Sequence, residues 1–223
     1  MAAIIPQGGT SGARVGYDVG MKLIALAALT VTCGFAADTL EVFGRSWSVP
    51  VASDWKVETQ GGSAALRLAE HRGPLPGPRR PIQFALTEVP EYRRITFEAD
   101  VKPLGASLLI AFGYRDDAHF DYAHLSVDTG AKQPVHNGVF HVYGGERVRI
   151  SNERGPAAFS ATGRWHHVKL VHAAVNGTVD VIVDGQAVPA LHAVDVSLGP
   201  GKIGPGSFDE TGEFKNVTIT TER

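Results

Sequence analysis

The sequence predicts an all-β protein built as a two-sheet antiparallel β-sandwich, and three observations predict it. Beyond Ala37 no stretch keeps the 3.6-residue apolar period of a helix; short strand-like runs recur at close intervals; and Gly-, Pro- and Asn-rich punctuation separates them. No repeat of fixed period is present, which argues against a propeller or a β-helix. Antiparallel strands joined by hairpins must then hide their apolar faces by stacking as two sheets or closing into a barrel, and the sandwich is preferred. A chain of 223 residues, 43% hydrophobic and 20% charged, suits one main domain.

The N-terminal region reads differently. Met21 to Ala36, MKLIALAALTVTCGFA, has one lysine, an apolar run from Leu23 to Val31 and small residues at Gly34 and Ala36. That is the pattern of a secretory signal peptide, too short in its apolar part for a resident membrane span. Cleavage is expected near Ala36–Ala37, and Met1 to Gly20 reads as a mis-assigned upstream start. The single cysteine, Cys33, falls inside this segment, so the mature chain carries no disulfide. Lipidation of Cys33 is the competing reading, weakened by Thr32 where lipoprotein patterns favour a smaller residue. The expected destination is secreted or periplasmic in a bacterium, with residues 37–223 as the sandwich.

Along those residues the strand-like runs are TLEVF, WKVETQ, ALRLAE, IQFALTEV, ITFEADVK, ASLLIAFGY, FDYAHLSV, GVFHVYG, RVRIS, HHVKLVH, TVDVIVDG and FKNVTIT. Turn signals fall between them at Gly73 to Pro81, Asn176–Gly177 and Asp184–Gly185. Asn176–Gly177 predicts a two-residue type I′ hairpin, because both central positions there need positive φ. The Gly-rich Gly199 to Ser207 precedes a strand rather than a helix, so it is no phosphate loop; it reads as tight turns.

Side chains alternate between faces of a strand, so parity sorts core from surface. In ITFEADVK the apolar set is Ile95, Phe97, Ala99 and Val101, leaving Glu98, Asp100 and Lys102 on a wet face. In HFDYAHLSVD (residues 119–128), Leu125 and Val127 mark the core side. Tyr122 and His124 then point away from the core, while His119 and Asp121 have core parity near a strand end where they reach solvent. In the strand after Asn137, the same logic places Phe140 and Val142 inward and Asn137, His141 and Tyr143 outward. Since His119 and His124 oppose one another in parity, a zinc site is disfavoured.

A wet face carrying Arg115, Tyr122, His124, Asn137, His141 and Tyr143 has what a sugar site needs, aromatic rings for pyranose faces and planar polar groups for hydroxyls. The bland alternative is the solvent face of a sheet. With 21 basic and 23 acidic residues and a net charge near −2, nucleic acid is not an expected partner.

FGYRDDAHFDYAHLSVD resembles the pattern of laminin-G-like, concanavalin A-like sandwich domains of bacterial secreted proteins, in which an aromatic-Arg-Asp strand end precedes a Phe/Tyr-Tyr strand. HNGVFHVYGGERVRI, GRWHHVKLVHAAVNGTVDVIVDG and GKIGPGSFDETGEFKNVTI look like successive later elements, and the resemblance spans roughly Asp54 to Thr220. It implies a concanavalin A-like jelly roll and admits three roles: lectin-like binding, glycoside hydrolysis, and the 3-keto-disaccharide hydrolase-like domain. The laminarinase-type motif Glu-x-Asp-x-(x)-Glu finds Glu98 and Asp100 but Lys102 in place of a final Glu, and the Asn-Ser-Gly and Glu-x-Gln signatures of the 3-keto-disaccharide hydrolases are missing. The expected function is therefore carbohydrate binding on one sheet face. The alternatives are a hydrolase using His124, Asp121, Glu98 or Asp100, and a non-catalytic extracytoplasmic protein-interaction module. Such sandwiches often hold a structural calcium, for which Asp209 and Glu210 could supply oxygens; no other cofactor is expected. Asn176-Gly-Thr and Asn216-Val-Thr are glycosylation sequons that matter only in a host that uses them.

Overall fold

The structure, a computed structural model, describes residues 38–73 and 78–223. The expected signal segment, Cys33 and part of the Gly73 to Pro81 turn lie outside these residues. The chain forms β1 (Asp38–Val42), β2 (Arg45–Val49), β3 (Trp55–Gln60), β4 (Ser63–Leu68), β5 (Gln83–Phe84), β6 (Arg94–Pro103), β7 (Ser107–Asp116) and β8 (His119–Ser126). It continues with β9 (Gly138–Tyr143), β10 (Glu146–Arg149), β11 (His166–Ala173), β12 (Thr178–Val183), β13 (Gln186–Ala187), β14 (Ala193–Val194), β15 (Lys202–Ser207) and β16 (Gly212–Glu222).

β1 and β2 form a hairpin of their own, while the other strands make a 6-stranded sheet ordered β10-β9-β8-β7-β15-β5 and an 8-stranded sheet ordered β13-β12-β11-β6-β16-β4-β3, with β14 beside β12. Every pairing is antiparallel. The fold is thus an antiparallel β-sandwich of the jelly-roll type, as the strand pattern predicts. Its core lies between the sheets: Ile95, Phe97 and Ala99 of β6, Val168 and Leu170 of β11 and Phe214 of β16 meet Leu108, Ile110 and Phe112 of β7 and Ala123 and Leu125 of β8. Burying such side chains stabilises the fold by about 1.5–3 kcal/mol each relative to leaving them exposed.

Two turn expectations are corrected. Asn176–Gly177 is no two-residue turn: the β11–β12 register closes at Ala173 opposite Thr178, and of the loop residues only Gly177 has positive φ, at 71°. That glycine abuts the Asp195 carbonyl, which a Cβ would meet at 2.2 Å, so tertiary packing sets this loop. The type I′ geometry falls instead at Asp184–Gly185, both at positive φ (51° and 81°), with Val183 opposite Gln186. Likewise the Gly199 to Ser207 run, expected as tight turns, supplies β15. A Cβ at Gly204 or Gly206 would lie 1.8 or 2.4 Å from the carbonyl oxygen of Ala85 or Gln83, so the glycines let β15 pass close to the β5 segment.

Candidate functional site

A second apolar cluster covers the outer face of the six-stranded sheet, away from the inter-sheet core: Phe84, Leu86, Leu109, Ala111, Phe120, Tyr122, Phe140, Val142 and Phe208. The register makes it. Ala111, Tyr122 and Phe140 are direct cross-strand partners, and the Tyr122 and Phe140 rings stack 5.2 Å apart at 11°. Tyr122 and His124 therefore face away from the inter-sheet core as parity predicts, but on a covered face; they are 0% and 2% exposed. The expected wet face is corrected to an aromatic one. Phe208, from the loop after β15, lies over it between the guanidiniums of Arg79 and Arg147, 5.0 and 4.7 Å from the ring centroid.

The parity of β9 is corrected too. Phe140 and Val142 face outward with Tyr122, whereas His141 lies opposite Asp121 on the inter-sheet side. Both faces of β9 are apolar, since Val139 belongs to the inter-sheet core. Alternation alone could not tell them apart.

Under Phe208 the two clusters of charge and aromatics leave a cleft of about 70 Å³ lined by Arg79, His124, Val135, His136, Arg147, Phe208 and Asp209. His124 forms its buried floor, and neither of its ring nitrogens has a hydrogen-bond partner. Burial pushes its pKa down to about 3, with repulsion from His136, Arg147 and Arg149 acting the same way and the Val135 carbonyl opposing. The ring is therefore neutral, offering one N–H and one lone pair. The His136 ring covers it at 4.9 Å and is itself held by the Ser126 hydroxyl at 3.2 Å. Arg147 sends Nη1 to the Tyr122 hydroxyl at 3.4 Å, and Arg79 pairs with Asp209 at 2.7 Å.

A second group of polar side chains lies between the sheets at one end. Asp121 and Asp195 flank His141, with Nδ1 at 2.7 Å from one carboxylate and 2.8 Å from the other. The hydrogen bond to Asp121 raises the His141 pKa, while burial raises that of Asp121 against the same bond. For this pair the imidazolium–carboxylate arrangement is the firmer direction, because the contact is direct and Asp195 adds a second negative charge. These three residues could hold a cation, their ligand atoms lying within 4.8 Å of one another. Ligands on tetrahedral zinc stand about 3.4 Å apart given bonds near 2.1 Å, so the present spacing is that of a hydrogen-bonded triad.

The remaining sequence-selected residues are dispersed. Arg115 is exposed and donates to the Leu198 carbonyl. Asn137 is buried, its side chain spent on the Pro156 carbonyl at 2.7 Å and the Ala158 amide at 2.9 Å. Tyr143 is 63% exposed, stacked on His141 and edge-on to His119. Asp121, expected to reach solvent, is buried. Glu98 pairs with Lys169 at 2.7 Å and Asp100 with His167 at 3.1 Å and Asn216 at 2.7 Å, on the outer face of the other sheet. The four residues named for a hydrolase thus occupy three separate places. Of the expected calcium oxygens, Asp209 is tied to Arg79 and Glu210 accepts from the Ser107 amide. Sequence reasoning missed Arg79, His136, Arg147 and Phe208. Arg79 reads as half of a solvated arginine pair, and Phe208 follows a glycine run with no period to place it.

No family model and no curated protein matches the chain. Solved structures do match its fold. A carbohydrate binding module from Bacillus subtilis superposes with a TM-score of 0.50 at 14% identity, covering 83% of this chain and 92% of its own. A putative glycosyl hydrolase from Parabacteroides distasonis gives 0.50 at 16% identity over 77% and 91%. A xylan β-1,4-xylosidase from Bacillus halodurans gives 0.51 at 10% identity, over 84% of this chain but 38% of that enzyme. At such identities the likeness establishes the sandwich.

Proposed function

We propose that this protein is an extracytoplasmic carbohydrate-binding domain whose site is the cleft on the outer face of the six-stranded sheet. One observation carries the reading: His124 is buried at the floor of that cleft with both ring nitrogens unpaired. An unmet buried polar group costs about 1–3 kcal/mol, a cost that a ligand can remove by supplying the partners. A sugar hydroxyl both donates and accepts, so it can partner a neutral imidazole, and Phe208 lines the cleft beside it. Binding displaces the His136 ring, which a 3.2 Å hydrogen bond to Ser126 and a 3.7 Å contact with the Asp128 carboxylate retain. The likeness in fold to a carbohydrate binding module supports this role and adds no residue to it.

The test is a glycan array followed by calorimetry on the best ligand. His124→Leu should weaken binding by at least about tenfold, the equivalent of one buried hydrogen bond. Unchanged affinity would remove His124, and the cleft with it, from the account.

A hydrolase reading has one observation of its own, the Asp121–His141–Asp195 triad, in which two carboxylates bracket a histidine. Incubation with neutral oligosaccharides and 3-keto-disaccharides tests it. New products that vanish in Asp121→Asn would make the domain an enzyme; full recovery of substrate would leave the triad a structural tie.

A further inference from the structure

We propose that the cleft selects an anionic sugar, one bearing a carboxylate or a sulfate ester, and that Arg147 beside His124 seats the anion. The inference rests on the reading of this cleft as the carbohydrate site. Of the two guanidiniums flanking Phe208, Arg79 is compensated by Asp209 at 2.7 Å. Arg147 is not: it is half-buried, its polar contact is the neutral Tyr122 hydroxyl at 3.4 Å, and it makes no ion pair among the described residues. Arg149, two residues on and so on the same face of β10, stands over the Phe140 ring at 5.5 Å and adds positive charge while its N–H groups are spent on backbone carbonyls. The nearby carboxylates are already engaged, Asp128 with Lys132 and His136, and Glu210 with the Ser107 amide. The lining of the cleft therefore carries one guanidinium, that of Arg147, beyond what Asp209 compensates.

The donors match an anion. A carboxylate accepts only, and here it can take the free edge of the Arg147 guanidinium together with the unpaired N–H of the neutral His124; a planar fork favours such bidentate capture. A neutral hydroxymethyl arm in the same place would leave Arg147 uncompensated. Size agrees. A volume of about 70 Å³ is a little over twice the ~30 Å³ share of a liquid water, room for a carboxylate or sulfate but not for a pyranose. The ring must lie across the rim, by Phe208 and Val135.

The experiment compares oligosaccharides that differ only at the anion: galacturonate, glucuronate and mannuronate oligomers, their carboxyl-reduced neutral counterparts, and sulfated galactan oligomers, titrated calorimetrically at fixed ionic strength. The expected result is an acidic form binding at least about tenfold tighter than its reduced partner, with affinity falling as salt rises. Arg147→Met should abolish that preference, so that the acidic and reduced forms bind alike, and Arg147→Lys, which keeps the charge without the fork, should keep part of it. Melting of each variant checks the fold, and if Arg147→Met does not fold, Arg147→Lys and the salt dependence decide. Tighter binding of the sulfated oligomers assigns the anion to a sulfate ester. Reduced forms that bind as tightly as the acids, with both lost in His124→Leu, would overturn the inference while the carbohydrate site stands. Binding of none of them would sink both.

Discussion

At the scale of the residue, His124 concentrates the relation between stability and function in this molecule. A fully buried imidazole whose nitrogens lack partners is a cost the fold carries. A leucine of similar volume would remove it. His124→Leu should therefore raise stability by about 1–3 kcal/mol in urea titrations even as ligand binding is lost, and a destabilised variant would mean that the nitrogens find partners after all. Such a trade belongs to sites whose polar groups wait for a ligand. The outward direction of Tyr122 and His124 was legible in the alternation of HFDYAHLSVD, but their burial was not. Parity recognises two faces of a strand and equates one of them with water. Here the second face is roofed by Phe208, which stands more than eighty positions from His124 in sequence and carries no local sign of where it packs.

At the scale of the element, one side chain ties together the loops that flank the β9–β10 hairpin. The Arg149 guanidinium donates to the carbonyls of Ser151, Pro134, His136, Asn137 and Glu153, joining the loops on both sides of the hairpin. Gly138 makes room for it, since a Cβ there would lie 2.2 Å from Nη1. An arginine tip usually moves aside cheaply, but this one cannot without releasing those carbonyls. Arg149→Met should cost about 2–4 kcal/mol. Gly138→Ala should cost a similar amount, and the double variant markedly less than the sum, because both break the same contacts. Additive losses measured by denaturant unfolding would show that the glycine serves some other end. None of this is visible in GVFHVYGGERVRI, because the carbonyls that Arg149 gathers lie in loops outside that run. The same limit explains β9 itself: Val139, Phe140 and Val142 are apolar on both faces, so only the register against β8 decides which side His141 takes. By contrast β6 was fully legible, since ITFEADVK alternates without ambiguity and the structure buries Ile95, Phe97, Ala99 and Val101 as expected.

At the scale of the whole molecule, stability should pass through a maximum near neutral pH. His124 and His172 are held neutral by burial, with pKa values pushed down to about 3 and about 4. Between those values and the ordinary 6.5 the unfolded chain binds protons that the fold refuses. Stability therefore falls as pH drops through that window, by up to about 1.4 kcal/mol per pH unit for each histidine. Burial of Glu210 raises its pKa and opposes this over the lower part of the range. His141, raised by its hydrogen bond to Asp121, contributes fully below 6.5 and loses its contribution as pH climbs through the folded value. Urea titrations from pH 4 to 8 should show both limbs, and His124→Leu should flatten the acid one; an acid limb unchanged in that variant would mean another group controls it. The sandwich as a whole was readable because its strands alternate and its turns are marked, whereas the cleft was not, because it is assembled from five segments distant in sequence. The order of that assembly has a consequence for synthesis. β16, the last strand in the chain, lies in the middle of its sheet, paired on one side with β6 and on the other with β4. Until it docks, β3–β4 and β6–β11–β12 are separate ladders with bare edges facing an empty lane. In that interval those edges are open to strands of neighbouring chains, so a holdase that keeps unfinished copies apart should raise the yield of native protein.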